Sequence, residues 1–376
     1  MTSDGTDPQG VERPLLTDEI ALLPDHPASE EIPAELGSML AEPRLHLSVQ
    51  AGAADVATLL RQAEPAGDGE FRLPRGAFIG RRGLTSERLE RDEQDLPYQA
   101  QTDPSRPAWT PMSFQPRRAA DFAERPPMRS LRGELVQPYY GVFGFDDRQV
   151  YYPSSYPWGC IGRIFTWNNS PGTGGWSWAG SGLLIGPRHV LTAGHVCPWG
   201  ATTWAMKFVA GYWNGAPVSG PGGLSWVSDY RGWNTNNTVA AHDLAVLRLY
   251  DPIGSATGWV GTKLYDTSWN GGAYWTLAGY PAAVAGAERP SQQSSIAVAR
   301  ADVDGDAEEL KHWGDSTAGD SGGPFFGFWG TDPYTVGVTS GGESVTSGGT
   351  VIEDFNVEAA GRYMVDLAVW AHTNWP

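Results

Sequence analysis

The sequence predicts an all-β fold for most of the chain. Among 376 residues there are 48 Gly and 29 Pro, and so many turn-forming residues favour short strands over long helices. From about residue 141 onward, short apolar runs recur between turn residues, as in GLLIG, HVLTAG, DLAVLRLY and YTVGVTSGG. Runs of this kind are typical of strands, and their number indicates a barrel or a sandwich.

The C-terminal end differs from this pattern and predicts a helix. In GRYMVDLAVWAHTNW, Met364, Leu367, Ala368 and Ala371 follow the i, i+3, i+4, i+7 spacing. Such spacing places them on one face of an amphipathic helix, which we expect to pack on the β body.

Residues 1–140 have a different character, with charged runs, Pro-rich pieces and few β-branched or aromatic residues. A segment of this composition buries too little apolar surface to offset its chain entropy, so we expect a largely irregular region. One short helix is predicted in AADVATLLRQA, residues 53–63. The region is interpreted either as a disordered linker or tail, or as a pro-segment preceding a domain at 141–376.

Composition excludes several classes of function. The net charge of −17 argues against binding to nucleic acid or to an anionic membrane. No apolar run approaches the roughly 18 residues of a membrane-spanning helix. The first residues lack the basic and apolar regions of a secretory signal.

The only two cysteines, Cys160 and Cys197, cannot build a tetrahedral metal site alone. We therefore expect no metal, and either one disulfide or two buried free thiols.

Three short motifs predict a nucleophilic active site. LTAGHV contains His195, HDLAVLRL contains Asp243 at the start of a strand, and GDSGGP contains Ser321. A serine hydroxyl hardly ionises at neutral pH, so it needs a base and the base needs an orienting acid. Each motif alone has a simpler explanation, such as a turn, a core histidine or a surface charge. Together they supply nucleophile, base and acid, which predicts a catalytic triad.

The residues beside Ser321 predict an oxyanion-binding turn. In a tight turn through Gly319, Asp320 and Ser321, the N–H groups of Gly319 and Ser321 can point to one place. Two such donors stabilise the negative charge that develops on a carbonyl oxygen under attack. A side chain at position 319 would obstruct that approach.

These motifs resemble the three signatures of chymotrypsin-fold serine endopeptidases, and the resemblance covers residues 142–376. It implies two orthogonal six-stranded β-barrels with the active site between them, followed by the C-terminal helix. It also implies polypeptide substrates, no cofactor and a monomeric protein. GFDDRQV, YPWGCIGRI, AGYP (278–281) and GWVG (258–261) resemble features of the bacterial glutamyl endopeptidase branch. The N-terminal region has no counterpart in this fold, which favours a pro-segment.

The resemblance assigns different roles to the two aspartates near Ser321. The acid before the nucleophile pairs with a new N-terminal amine in trypsin-like enzymes, and VFG at Val142–Gly144 resembles such a terminus. We therefore expect cleavage to free an amine near Val142 that docks on Asp320. Gly141 is not a tryptic site, and Arg132 and Arg148 are alternative cleavage points.

Asp315 corresponds to the acid at the base of the trypsin specificity pocket, which predicts cleavage after Arg or Lys. The pocket wall corresponds to TSGG, namely Thr339, Ser340, Gly341 and Gly342. Some relatives that cut after Glu also carry Asp at this position, so glutamyl specificity is the alternative. Those enzymes use a histidine where this chain has Thr339.

The remaining candidates are assigned structural roles or left open. His242 should point away from Asp243 across the strand, and His189 lies outside the signatures. The family often has a cysteine near Cys197, and Cys160 is its only available partner. A bridge between the two would suit an oxidising compartment.

Despite the missing signal we expect secretion. A non-catalytic binding protein on this fold, and a full-length protein whose N-terminal half is an interaction arm, are the competing interpretations.

Overall fold

The structure is a computed structural model. It describes residues 12–42, 64–67, 70–72, 78–79, 86–87, 98–119, 141–168, 175–201, 204–233, 240–347 and 350–375. The four short stretches between 64 and 87 are described by their backbone only. The helix expected at 53–63 lies outside the described residues.

The helices are α1 (Thr17–Ile20), α2 (Ala34–Ala41), α3 (Ile253–Thr257) and α4 (Arg362–Asn374). The strands before residue 160 are β1 (Glu64–Gly67), β2 (Glu70–Arg72), β3 (Phe78–Ile79), β4 (Ser86–Glu87), β5 (Gln101–Thr102), β6 (Arg117–Arg118) and β7 (Gln149–Tyr152). The strands up to residue 250 are β8 (Ile161–Trp167), β9 (Trp178–Leu184), β10 (His189–Thr192), β11 (Ala205–Ala210), β12 (Tyr212–Trp213), β13 (Ala216–Pro217), β14 (Leu224–Gly232) and β15 (Ala245–Leu249). The remaining strands are β16 (Gly261–Lys263), β17 (Trp275–Gly279), β18 (Ser291–Ile296), β19 (Val298–Asp304), β20 (Ala307–His312), β21 (Pro324–Trp329), β22 (Asp332–Ser347) and β23 (Thr350–Ala360).

The first half of the β body is a closed barrel. Its six strands are ordered β11-β8-β9-β10-β15-β14, and β14 pairs back with β11. Strand β8 is buried along its whole length, because the barrel interior covers one face and neighbouring elements cover the other. Closure removes the free strand edges, which explains how short strands form a stable unit here.

The second half is built on the sheet β19-β20-β23-β22-β21-β17-β18. Beyond β18 the sheet contains β7, which pairs with β18, and β6, which pairs with β7. On another side, β16 pairs with β22, and β5 pairs with β16. The long hairpin β22–β23 carries the predicted pocket wall, with Gly342 opposite Asn356. The prediction of an all-β, chymotrypsin-like fold is confirmed.

The predicted C-terminal helix is also confirmed, as α4. It begins after Gly361, whose φ of +90° suits glycine. All four residues of the predicted face are buried in the main hydrophobic core: Met364, Leu367, Ala368 and Ala371. The apolar face therefore packs on the β body.

Residues 12–42 and 98–119, here called the N-terminal arm, are ordered against the β body. Buried Ile20, Met112 and Phe114 belong to the same hydrophobic core as the first barrel. The expectation of a largely irregular region is confirmed for these residues, whose helices and strands are α1, α2, β5 and β6, although they pack on the β body. Their few buried apolar side chains share one core with the β body.

In the described part of the chain, no helix has the length and apolar character needed to cross a membrane.

Candidate active site

The base and the acid of the predicted triad are in contact. His195 lies in the 3₁₀ turn Gly194–Val196 directly after β10, and Asp243 precedes β15. Because β10 and β15 are antiparallel neighbours, with Thr192 opposite Ala245, the two side chains meet at one end of the barrel. Asp243 Oδ2 lies 2.6 Å from His195 Nδ1, and Asp243 Oδ1 accepts the His195 backbone N–H at 2.8 Å. Oδ2 thus orients the imidazole, and Oδ1 holds the backbone of the same residue.

Ser340 completes the surroundings of Asp243. Its hydroxyl donates to Asp243 Oδ2 at 2.6 Å, and both residues are buried. Ser340 was predicted as part of the pocket wall, and its side chain has this second role of holding the acid. A buried carboxylate needs such donors, because an unpaired one is costly to bury.

Ser321 lies in a turn between the two halves of the β body. Its carbonyl accepts the N–H of Ser181 on β9 at 2.8 Å, and Gly322 N–H donates to Thr339 O at 2.8 Å. A Cβ on Gly180 would lie 3.0 Å from Ser321 O and 2.9 Å from Val196, which follows His195 in the chain. The nucleophile turn and the histidine turn therefore meet at Gly180.

The predicted oxyanion turn contains a glycine in a conformation that other residues rarely adopt. Gly319 has φ +105°, and a Cβ there would lie only 2.4 Å from Tyr280 O. Ser181 Oγ donates to Gly319 O at 2.7 Å and accepts Tyr280 N–H at 2.9 Å. Ser181 thus connects the first barrel to the oxyanion turn. No local motif marks Ser181, because only the folded chain brings residues 181 and 319 together.

Asp320 is paired with Arg148. Arg148 Nη1 lies 3.0 Å from Asp320 Oδ2, and the Thr317 N–H donates to the same oxygen at 3.0 Å. Arg148 also contacts Asp146 with a 2.7 Å bond between Nη2 and Oδ2. Burial, opposed by Arg148, raises the pKa of Asp320 to about 6.

The arginine at 148, rather than Val142, is therefore the counter-ion of Asp320 in this chain. Val142 is 40% exposed, and its neighbours contact a different part of the site. The Val142–Asp320 pair stays a prediction for a cleaved chain, where the new amine would have to displace Arg148. Sequence analysis considered Arg148 only as a cleavage point.

Asp315, the predicted pocket acid, is only 1% exposed. Its Oδ1 accepts the Phe143 N–H at 2.8 Å, and Gln293 Nε2 lies 3.5 Å from its Oδ2. Burial raises the pKa of Asp315, and the Phe143 N–H and Arg148 act in the opposite direction. The segment from Gly141 to Phe143 therefore covers Asp315.

Asn356 on β23 anchors that segment and was not identified from the sequence. Its Oδ1 accepts the Gly141 N–H at 2.8 Å, and its Nδ2 donates to Gly141 O at 2.7 Å. The Ser316 N–H also donates to Gly141 O, at 3.0 Å. The backbone of Gly141 thus lies between Asn356 and the residues next to Asp315.

The pocket wall is supported from behind by a buried pair of ionisable residues. His312 Nε2 lies 3.0 Å from Glu358 Oε1, and both side chains are fully buried. The Thr339 hydroxyl donates to Glu358 Oε1 at 3.3 Å. Burial raises the pKa of Glu358. Thr339 therefore directs its hydroxyl to the interior, whereas Gly341 and Gly342 pair with Val357 and Asn356 on β23.

The remaining predicted residues lie outside this cluster. Cys160 and Cys197 are buried free thiols, which is the second of the two alternatives given for them. Cys160 Sγ instead contacts Thr257 O at 3.8 Å, and burial raises the pKa of both thiols. His189 bonds to Trp375 O at 2.7 Å and His242 to Asp306 at 2.8 Å. Among the described residues, no group of three or more His, Cys, Asp or Glu is arranged to hold a metal ion.

Comparison with known families agrees with this fold. Residues 163–359, more than half of the chain, match the family described as Trypsin, so the chain belongs to the trypsin family of serine proteases. Comparison with curated proteins gave no match.

Solved structures with a similar fold include three proteases. A Glu endopeptidase in complex with MPD is 19% identical, with 62% of this chain and 100% of that chain covered and a TM-score of 0.47. The protease Anisep from Arthrobacter nicotinovorans is 22% identical, with 59% and 97% covered and a TM-score of 0.42. The thermostable serine protease AL20 from an extremophilic microorganism is 19% identical, with 57% and 98% covered and a TM-score of 0.38.

Proposed function

We propose that this protein is a serine endopeptidase that hydrolyses peptide bonds through an acyl-enzyme. Ser321 Oγ attacks the carbonyl carbon while His195 Nε2 takes the hydroxyl proton, which then passes to the leaving amine. Water attacks the ester in the same way and releases the acid. Asp243 holds the imidazole, and the N–H groups of Gly319 and Ser321 stabilise the oxyanion. No cofactor takes part.

One observation carries this proposal: both oxygens of the fully buried Asp243 carboxylate bond to His195. This arrangement leaves the second ring nitrogen, Nε2, to act as the base. A carboxylate at Nδ1 also stabilises the imidazolium that forms during the attack. The membership in the trypsin family supports the same chemistry.

Labelling with a fluorophosphonate tests the triad. The reagent should form a stable adduct with the wild type and none with Ser321→Ala, and His195→Ala should lower the labelling rate by several orders of magnitude. Ser344→Ala, at an exposed serine, is the matched control. A wild type that stays unlabelled after maturation would instead favour a non-catalytic binding protein on this fold.

We also propose that the protein is made as a zymogen. In the uncut chain Gly141–Phe143 covers Asp315, which supports a form that does not yet accept substrate in its pocket. Cleavage near Val142, or at Arg132 or Arg148, would change this segment. N-terminal sequencing of the active form identifies the cut, and an uncut chain with full activity would contradict the zymogen.

Substrate preference depends, in this proposal, on which cut is used. A cut after Arg148 frees the end of the segment that carries Phe143 and Arg148, and departure of this segment end from the site would leave Asp315 free to select Arg or Lys. A cut before Val142 keeps Phe143 and Arg148 in the catalytic chain and creates an ammonium group at Val142 near Asp315. This positive charge would repel the cationic side chain of an Arg or Lys substrate. The Phe143–Asp315 contact therefore favours the glutamyl alternative for a chain that begins at Val142.

Matched peptides with Arg, Glu or Leu before the scissile bond test this proposal on the sequenced active form. A preference for Arg by a chain that begins at Val142, or for Glu by one that begins at Gln149, would contradict it. Asp315→Asn should abolish an Arg preference. It should leave hydrolysis of the Leu peptide within a few-fold of wild type.

We further propose that the enzyme is secreted and acts as a monomer on extracellular polypeptides. Membership in the trypsin family supports this location. Immunodetection in the culture medium of the source organism, compared with the cell fraction, is the direct test.

A further inference from the structure

The N-terminal arm is bound to the β body through backbone hydrogen bonds of the kind found inside sheets. Strand β5 pairs with β16, and β6 pairs with β7. Ser105 and Trp259 exchange two backbone bonds, each of 2.9 Å. Removal of the arm would leave these N–H and C=O groups of the β body without protein partners.

Apolar side chains of the arm also fill the core of the β body. The rings of Phe114 and Phe328 lie 5.4 Å apart, and Trp158 Nε1 donates to Ser113 O at 2.8 Å. Trp158 is 1% exposed. Without the arm, Trp158 and Phe328 would lose part of their apolar cover and be exposed to water, which is unfavourable for large apolar side chains.

At three glycines of the β body, the backbone of the arm lies so close that a side chain on the glycine would collide with it. A Cβ on Gly222 would lie 1.7 Å from Met39 O, one on Gly258 2.6 Å from Ser105 O, and one on Gly261 2.5 Å from Thr102 O. All three obstructing atoms belong to the arm. The surface is therefore complementary to this particular segment of chain.

The two pieces of the arm are also joined to each other. His26 and Met112 exchange backbone bonds of 3.0 and 2.8 Å, and Ser29 N–H donates to Ala108 O at 2.8 Å. Both pieces precede residue 120 in the chain. A cut between 120 and 140 would therefore leave the whole arm on one fragment.

We propose that the arm remains bound to the catalytic domain after such a cut, so that the mature enzyme consists of two chains. The arm is a permanent subunit of the protease and is not a released pro-segment. This inference deepens the maturation step of the proposed function, but its test needs no activity.

The test uses the full-length chain with Ser321→Ala and a tobacco etch virus protease site placed between residues 120 and 140. After complete cleavage, both fragments should elute together in gel filtration at micromolar concentration and separate only in denaturant. Separation of the fragments under native conditions, with a folded C-terminal fragment, would overturn the proposal.

A pair of glycine variants of this cleavable protein locates the contact. Gly222→Ala should weaken fragment association at least about tenfold, because its methyl group would meet Met39 O. Gly175→Ala is the control, since nothing lies within 4 Å of a Cβ there. Equal association of the two variants would contradict the proposed interface. Peptide hydrolysis is measured separately, on the cleavable protein that keeps Ser321. A failure of catalysis is then not confused with loss of the arm.

Discussion

Arg148 and Asp320 form an ion pair in the interior, with 3.0 Å between Nη1 and Oδ2 and about 1% exposure of each side chain. Replacing Arg148 with Met would leave the Asp320 carboxylate without its counter-charge beside the nucleophile. Breaking a buried pair in this way costs about 3–5 kcal/mol. We expect Arg148→Met to lower the free energy of unfolding by this amount, measured by urea denaturation in the Ser321→Ala background.

Arg117→Met is the matched control for that variant. Arg117 lies on β6 and is exposed, so its replacement should change the free energy of unfolding by less than about 0.5 kcal/mol. Equal stabilities of the two variants would show that Arg148 is not needed to neutralise Asp320.

Asp320 should also make stability depend on pH. Its pKa is raised to about 6 in the folded protein, from an ordinary 3.8, mainly by burial. The folded state therefore binds this proton more tightly than the unfolded state. The contribution to the free energy of unfolding is fully present below about pH 4 and is lost as the pH rises to about 6.

In Asp320→Asn the side chain at position 320 cannot titrate. Comparing this variant with its parent therefore separates the pH dependence due to Asp320 from that of the other carboxylates. Between about pH 4 and pH 7, the stability of the variant relative to the parent should improve by up to about 3 kcal/mol. The measurement is urea denaturation at several pH values, with Ser321→Ala in both proteins. A stability difference that is independent of pH would refute the raised pKa.

Ser181 is expected to position the oxyanion turn. Ser181→Ala removes the donor to Gly319 O and the acceptor for Tyr280 N–H. If the turn loses its orientation, kcat should fall about 10- to 100-fold, corresponding to about 1.5–3 kcal/mol, while KM changes much less. Steady-state kinetics on one peptide, with Ser344→Ala as control, tests this role. A larger effect on KM than on kcat would contradict it.

Gly319 and Gly330 provide a comparison of two left-handed glycines. Gly319 has φ +105° and a blocked Cβ position, whereas Gly330 has φ +61° and open space around its Cβ. Gly319→Ala should reduce fluorophosphonate labelling by on the order of 100-fold or more, because the oxyanion donor is displaced. Gly330→Ala should cost only about 1 kcal/mol of stability and leave labelling unchanged. Similar labelling of both variants would contradict the assigned turn.

The residues of the proposed triad could be identified from the sequence because each lies in a short, distinctive motif. His195, Asp243 and Ser321 needed only chemistry and order along the chain. The recurring apolar runs predicted a barrel or a sandwich, and the resemblance of the motifs implied the chymotrypsin-like fold. The structure adds the contact between His195 and Asp243, which the motifs alone could only predict.

The contacts missed by the sequence analysis depend on distant parts of the chain. Arg148 and Asp320 are separated by 172 positions, and Gly141 and Asn356 by 215. No local pattern marks such pairs. The burial of Met112 and Phe114 was missed for a similar reason, since their apolar partners belong to the β body and the composition of the arm alone suggests disorder.

Gly222, Gly258 and Gly261 have a consequence for recombining natural domains. A homologous protease domain with any larger residue at these places cannot accept this N-terminal segment without moving its backbone. The three glycines therefore form a signature for choosing compatible donors in chimeras. They also offer a way to search genomes for other proteases that carry the same attachment.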